Sequence, residues 1–283
     1  MTTNLFNRHA ASVSVDGTEV PYFSAGDGQA GAPVLVMVHG STGSTDSHYG
    51  YLFPMLSFRQ RVVSIDLRPP AEGGELTLAQ LVRQVGAVID VVGGGRPVAL
   101  MGYSLGAVVA AAVAAERPDE VRQLLLVAGW IKTDGHQQWR NGIWRQLRRT
   151  GSEAIRHYML FCAFSSGFVA ARTPQELTDM ANRIALDGFV DQQMDLNSRI
   201  DISALVPRIR ATTLVVGCSQ DQMVPRGHSQ QLFGAIEDAR YTEIDSGHAV
   251  VFERPAELLS VIDHFLRDPA AHPAGSILPA ARP

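Results

Sequence analysis

The stretch VALMGYSLGAVVAAAVAA, residues 98–115, decides how the rest of the chain is read. It is nearly all apolar and about as long as a bilayer-spanning helix. Yet Gly102, Ser104 and Gly106 interrupt it in mid-run, with strong strand formers before them and alanines after. A buried strand, a sharp turn and a buried helix account for that pattern better than one membrane helix, so no membrane partner is expected. The turn reads Gly102-Tyr103-Ser104-Leu105-Gly106, a G-x-S-x-G. Its glycines remove Cβ atoms that would collide with neighbouring elements, and the strained turn lifts the Ser104 hydroxyl above the sheet edge. The Leu105 amide, at the start of the helix, points at the same space.

The flanking sequence fits the same scheme. Residues 33–38 form a continuous apolar run ending in His39-Gly40, as a strand buried on both faces does. Residues 13–15 and 20–23 flank Asp16-Gly17, a hairpin signal. Strands are predicted over 61–67, 97–103 and 121–129, and helices over 51–58, 76–92 and 104–116. Between 130 and 209 no strand-like run occurs, only amphipathic segments near 139–149, 153–164, 174–186 and 191–200. The rhythm then resumes with strands at 212–217 and 240–244 and helices at 226–236 and 255–267. Alternation of this kind specifies an α/β fold, a mostly parallel sheet with helices on both faces, here with a helical cap inserted after the sixth strand. The expected organisation is a core of 1–129 and 210–268, a cap or lid of 130–209, and a flexible Pro/Ala-rich tail of 269–283.

Composition narrows the function. The 283 residues are 46% hydrophobic and 18% charged, as in a globular enzyme. A net charge of −4 provides no basic field for nucleic acid. The densest basic cluster, Arg140, Arg145, Arg148 and Arg149, reads as a solvated helix face, and no arginine stands out as a carboxylate or phosphate clamp. Cys162 and Cys218 are too few for a disulfide framework and fit no metal motif. Residues 1–10 lack the apolar run of a secretory signal, so a cytoplasmic location is expected. Monomer and homodimer are both left open.

A serine hydroxyl becomes a nucleophile when a base takes its proton. Of nine histidines, His248 is placed best: Asp245-Ser246-Gly247-His248 follows the strand at 240–244, at the sheet edge where parallel folds bind ligands. The acid that holds the imidazole is assigned to Asp221, after the strand at 212–217. Asp245 is too close in sequence to reach the far ring nitrogen, and Asp134 lies in the cap. A tetrahedral intermediate also needs two amide donors for its oxyanion. Leu105 N–H supplies one. The loop His39-Gly40-Ser41-Thr42-Gly43 supplies the other, through Ser41 or, failing that, Thr42. His39 is assigned a hydrogen-bonding role within that loop.

His-Gly at 39–40, Gly-Tyr-Ser-Leu-Gly at 102–106, Gln-Asp-x-x-Val-Pro at 220–225 and Ser-Gly-His at 246–248 occur in the order Ser, Asp, His. With these motifs, the chain from about 11 to 267 resembles the α/β-hydrolase fold superfamily, in its branch of small esterases, lactonases, perhydrolases and C–C hydrolases. The resemblance implies a serine hydrolase needing no metal and no organic cofactor. It departs from the family at Asp66-Leu67-Arg68-Pro69-Pro70, where relatives often carry D-x-R-G-x-G; proline replaces the glycine and stiffens a loop bordering the site. Ser104 stands where dehalogenases and epoxide hydrolases carry aspartate, which argues against both activities.

The substrate expected is a carboxylic ester, lactone or thioester of a small, largely apolar molecule. Trp130, Trp139, Tyr158, Phe161 and Phe164 in the inserted region, with Thr42, His48 and Tyr103, are the predicted pocket residues. Three other readings use the same residues. They are an acyltransferase or cyclase that passes the acyl group to another nucleophile, a lyase or C–C hydrolase, and a non-catalytic small-molecule receptor.

Overall fold

The computed structural model describes residues 8–28, 32–71 and 74–279. Its centre is one eight-stranded sheet in the order β1-β2-β4-β3-β5-β6-β7-β8. The strands are β1 (His9–Val15), β2 (Thr18–Ala25), β3 (Leu35–Val38), β4 (Val62–Ile65), β5 (Val98–Tyr103), β6 (Val121–Val127), β7 (Thr212–Cys218) and β8 (Ala239–Ile244). β2 runs antiparallel to β1 and β4, and every other pair is parallel. The hairpin turns at Asp16 and Gly17, both with positive φ, as a two-residue turn matched to the strand twist requires.

Each central strand splits its side chains between two cores. Val36 and Val38 of β3 enter a core shared with α3 (Leu78–Gly93) and α4 (Leu105–Glu116). Leu35 and Met37 enter the opposite core, built with α2 (Leu52–Ser57), α11 (Val250–Glu253) and α12 (Pro255–Arg267). This two-sided burial explains the continuous apolar runs read from the sequence. Helix α4 is buried at every position from Leu105 to Ala115 because β5 and β6 cover one side and α3 and the turn Val206–Arg208 cover the other. Among the described residues no helix is long and apolar enough to cross a membrane.

Register positions the site. Val38 of β3 lies level with Gly102 of β5, and Tyr103 with Val127 of β6. The chain therefore leaves β3 and β5 side by side, His39-Gly40 next to Tyr103-Ser104. A Cβ on Gly106 would stand 2.1 Å from the Val38 carbonyl oxygen, and one on Gly40 would stand 2.8 Å from Ser104 Cβ. Glycine at these two positions is what lets the loop after β3, the serine turn and the start of α4 approach one another. Helix α10 (Gly227–Ala235) and α12 follow β7 and β8.

Between β6 and β7 lie five helices: α5 (Gly135–Arg149), α6 (Ala154–Ala163), α7 (Ser166–Ala170), α8 (Pro174–Asn182) and α9 (Gly188–Asn197). Four of them start on a side-chain cap, and α6 does not. Asp134 and Gln137 form a capping box on α5, as do Thr173 and Glu176 on α8, whose first residue is proline. Trp144, Ile155, Met159, Val190 and Met194 give these helices a core of their own.

The structure departs from the sequence expectation at three places. The short helices α1 (Thr45–Tyr49) and α7 were not predicted, because each is scarcely more than one turn and carries no readable periodicity. β1 begins at His9, earlier than the predicted 13, because pairing with β2 overrides the weak strand preference of Ala10 and Ala11. The tail was predicted to be flexible from 269, yet its chain runs along the outer edge of β8. Gly275 N–H donates to Ala239 O at 2.8 Å, Tyr241 N–H to Ser276 O at 2.9 Å, and Leu278 N–H to Tyr241 O at 2.7 Å. Its backbone satisfies donors and acceptors that an open sheet edge would leave unpaired, a reason to dock that Pro/Ala composition does not reveal. Residues 280–283 lie outside the described residues.

Candidate active site

The loops after β3, β5, β7 and β8 converge at one end of the sheet. Ser104 sits in the turn with φ 56° and ψ −123°, a strained conformation for a residue with a Cβ. Its Oγ is 2.8 Å from His248 Nε2, and His248 Nδ1 is 2.6 Å from Asp221 Oδ2. Asp221 Oδ1 accepts the backbone N–H groups of Met223 and Val224, each at 2.8 Å. The Asp221 side chain has no exposed surface, so these donors and His248 take the place of water around its charge. The structure thus brings Ser104, His248 and Asp221 into one hydrogen-bonded row.

Ser41 and Leu105 flank that row. Neither backbone N–H donates to any group among the described residues. Thr42, the alternative donor, is committed elsewhere: its N–H donates to Gln193 Oε1 of α9 at 2.9 Å. Thr42 also has φ 64°, rare for a β-branched residue. Asn197 Nδ2 donates to Ser41 Oγ at 2.9 Å. Two residues of α9 therefore hold the loop from above. Nothing in the sequence marked them, because residues some 150 positions apart meet only in the folded chain.

Histidines brace the same loop. Leu67 N–H donates to His39 Nε2 at 3.0 Å, which leaves Nδ1 to carry the proton and donate to Gly40 O at 2.8 Å. His48 Nδ1 accepts Gly40 N–H at 3.3 Å. Burial holds both rings below the ordinary histidine range, and His39 and His248 add to the effect at His48. The sign of the pH effect follows. In the unfolded chain both rings take up protons below about pH 6.5, while the folded protein resists them, so acid favours unfolding. The urea midpoint is expected to fall between pH 7.5 and pH 5, and to fall less in His39→Gln. An identical drop in the variant would contradict this source of acid sensitivity.

Tyr103 donates its hydroxyl proton to His248 O at 2.9 Å, and Glu253 fixes the same loop from the other side. The Glu253 carboxylate accepts Gly247 N–H at 3.1 Å, Ser165 N–H at 2.8 Å and Ser165 Oγ–H at 2.6 Å. Ala249 N–H donates to Ala163 O at 2.9 Å. The histidine loop is in this way tied to the end of α6. Gly247 is required there, since a Cβ would stand 2.5 Å from Ser165 N.

A cavity of about 710 Å³ opens above Ser104, between this edge and the inserted helices. Of the predicted pocket residues, Thr42, His48, Tyr103, Trp130, Tyr158 and Phe164 line it. Trp130 turns its ring to the cavity and gives its N–H to Thr133 Oγ1 at 3.1 Å. Trp139 and Phe161 do not line it; they are 78% and 66% exposed on outer faces. The inward face of α5 carries Gln137, Asn141 and Trp144, which leaves Trp139 on the opposite side. The cavity wall also includes Phe252, Met194 and Arg140, none of them singled out by the sequence. Arg140 corrects the reading of the basic cluster as one solvated face. Arg148 does lie outward, paired with Asp191 at 2.8 Å, but Arg140 faces the cavity.

Likeness to known proteins assigns the class. Residues 35–261 match the sequence model of the alpha/beta hydrolase family, and the chain belongs to that family. It is 32% identical over 265 residues to pyrrolizixenacetamide deacetylase of Xenorhabdus hominickii, covering 90% of this chain and 97% of that one. Among solved structures, the enol-lactonase of Burkholderia xenovorans superposes with TM-score 0.78 at 22% identity, covering 91% of this chain and all of that one. A thermophilic esterase of Thermogutta terrifontis superposes with TM-score 0.76 at 21% identity, covering 93% and 99%. These two likenesses establish the fold, and the family membership makes the chain a hydrolase in class.

Proposed function

We propose that this chain is a serine hydrolase that cleaves a carboxylic ester, lactone or thioester of a small substrate through an acyl-enzyme on Ser104. The observation that carries the reading is the single His248 ring bonded to both Ser104 Oγ and Asp221, at 2.8 and 2.6 Å. Ser104 Oγ attacks the acyl carbon while His248 Nε2 takes the hydroxyl proton. The carbonyl electron pair moves onto oxygen, where the Ser41 and Leu105 amides receive it. As the tetrahedral intermediate collapses, the bond to the leaving group breaks and His248 returns the proton to it. Water then attacks the acyl-enzyme, His248 takes its proton, and the carboxylic acid leaves as Ser104 regains its hydrogen. The cavity volume and its largely apolar wall suit a small acyl substrate.

A second reading, amide deacetylation by the same steps, is favoured by the deacetylase relative at 32% identity. The two differ at the leaving group, since an amine departs only after His248 has protonated it. A panel of 4-nitrophenyl esters and acyl thioesters of increasing chain length, with matched acetanilides, separates them. Turnover of short to medium esters at least 100-fold above the anilides supports the ester reading, and comparable rates support the amidase. No turnover of any member by folded protein would overturn both and favour the lyase or receptor alternative.

A further inference from the structure

A cation in the cavity wall has no carboxylate hydrogen-bonded or ion-paired to it among the described residues. Arg140 lines the same cavity as Ser104 and His248, and its guanidinium makes no hydrogen bond or ion pair with any described residue. Its Nε is sealed from solvent without a partner. Guanidinium does not give up its proton in proteins, so the site carries a full positive charge that burial opposes. The groups around it do not pair with it directly, and Asp221 acts on it only from a distance. Burial pushes the Cys162 thiol up and the Tyr158 phenol up to about 12, so both are uncharged at neutral pH. Tyr158 spends its hydroxyl proton on the Arg140 backbone carbonyl at 3.2 Å. Asp187, also in the cavity wall, caps α9 by accepting Val190 N–H at 2.9 Å. Asp221 is bound to His248.

A second unpartnered donor lies one helical turn away. Trp144 is 3% exposed, lines the cavity, and its indole N–H has no acceptor among the described residues. Residues four apart on a helix share a face, and Arg140 and Trp144 both reach the cavity wall from α5. An Arg fork beside a neutral N–H matches a carboxylate, which accepts at both oxygens and supplies the missing negative charge.

We propose that the substrate carries a carboxylate besides its scissile acyl group, and that Arg140 and Trp144 receive it. This inference rests on the acyl-hydrolase reading and names its substrate class: an apolar body with one anionic end. It also gives the unpartnered arginine of a largely apolar cavity a charge to meet.

The test separates binding from turnover. Ser104→Ala protein is titrated calorimetrically with monoethyl esters of the C4 to C8 dicarboxylic acids and with the corresponding neutral diethyl esters. At one or more lengths the monoanion is expected to bind on the order of 10- to 100-fold more tightly than its diester. Adding Arg140→Gln should erase that ratio, and Trp144→Phe, which keeps the ring and removes only the N–H, should reduce it severalfold. The Trp144 variant carries the test if Arg140→Gln does not fold. No monoanion advantage at any length, or an advantage left undiminished in a folded variant lacking either donor, overturns the assignment. Wild-type hydrolysis of neutral 4-nitrophenyl esters is measured in parallel. Hydrolysis without a monoanion preference leaves the role of Ser104 standing and removes that of Arg140. Monoanion binding through Arg140 with no hydrolysis leaves Arg140 standing and removes the hydrolase.

Discussion

Ser104→Ala is expected to lower kcat for the best ester by on the order of 10⁶-fold, the scale seen when a triad nucleophile is removed. The substitution deletes one oxygen and keeps the Cβ, so the packing of Gly40 against the serine turn is unchanged. The hydroxyl contributes no hydrogen bond to the fold beyond the one to His248. Circular dichroism and the urea midpoint should therefore match the wild type, which makes the rate loss a statement about chemistry. A folded variant that retains more than a thousandth of the wild-type rate would place the nucleophile elsewhere.

Asp221→Asn should cost on the order of 10⁴-fold in kcat, by a different route. Asp221 Oδ1 accepts two backbone N–H groups, from Met223 and Val224. An asparagine keeps those bonds only by placing its own oxygen there, which turns its NH₂ toward His248 Nδ1. Nδ1 must then accept, the ring proton moves to Nε2, and Nε2 can no longer take the proton of Ser104. The variant is expected to fold normally and to fail in catalysis, with KM little changed. A loss of less than tenfold would show that the orientation of His248 is set by other contacts, such as the Tyr103 hydroxyl on its carbonyl.

Features encoded locally are legible in the sequence. Gly102 and Gly106 mark a turn that no other residue type would permit, and continuous apolar runs such as 98–103 mark strands covered on both faces. The parts that were not legible depend on the rotation of a helix about its axis or on distant pairing. On α5 the usual pattern is inverted: Gln137 and Asn141 are buried while Trp139 and Ile143 face outward. On that helix, counting aromatics therefore named Trp139, which faces outward, and passed over Arg140, one position away. Gln193, Asn197 and Glu253 are likewise ordinary polar residues in sequence. They acquire meaning only where α9 reaches the loop after β3 and where the end of α6 meets the histidine loop. The docking of residues 275–278 on β8 depends on an open sheet edge being within reach, which composition does not express.

An activated Ser104 with a formed oxyanion site is tested by intact-mass analysis after treatment with a fluorophosphonate. The reagent's phosphorus is attacked by the serine oxygen, fluoride leaves, and the phosphonyl oxygen occupies the position of the oxyanion. A single adduct on the wild-type protein and none on Ser104→Ala is the predicted result. An adduct that persists on Ser104→Ala, or none on correctly folded wild type, would contradict it.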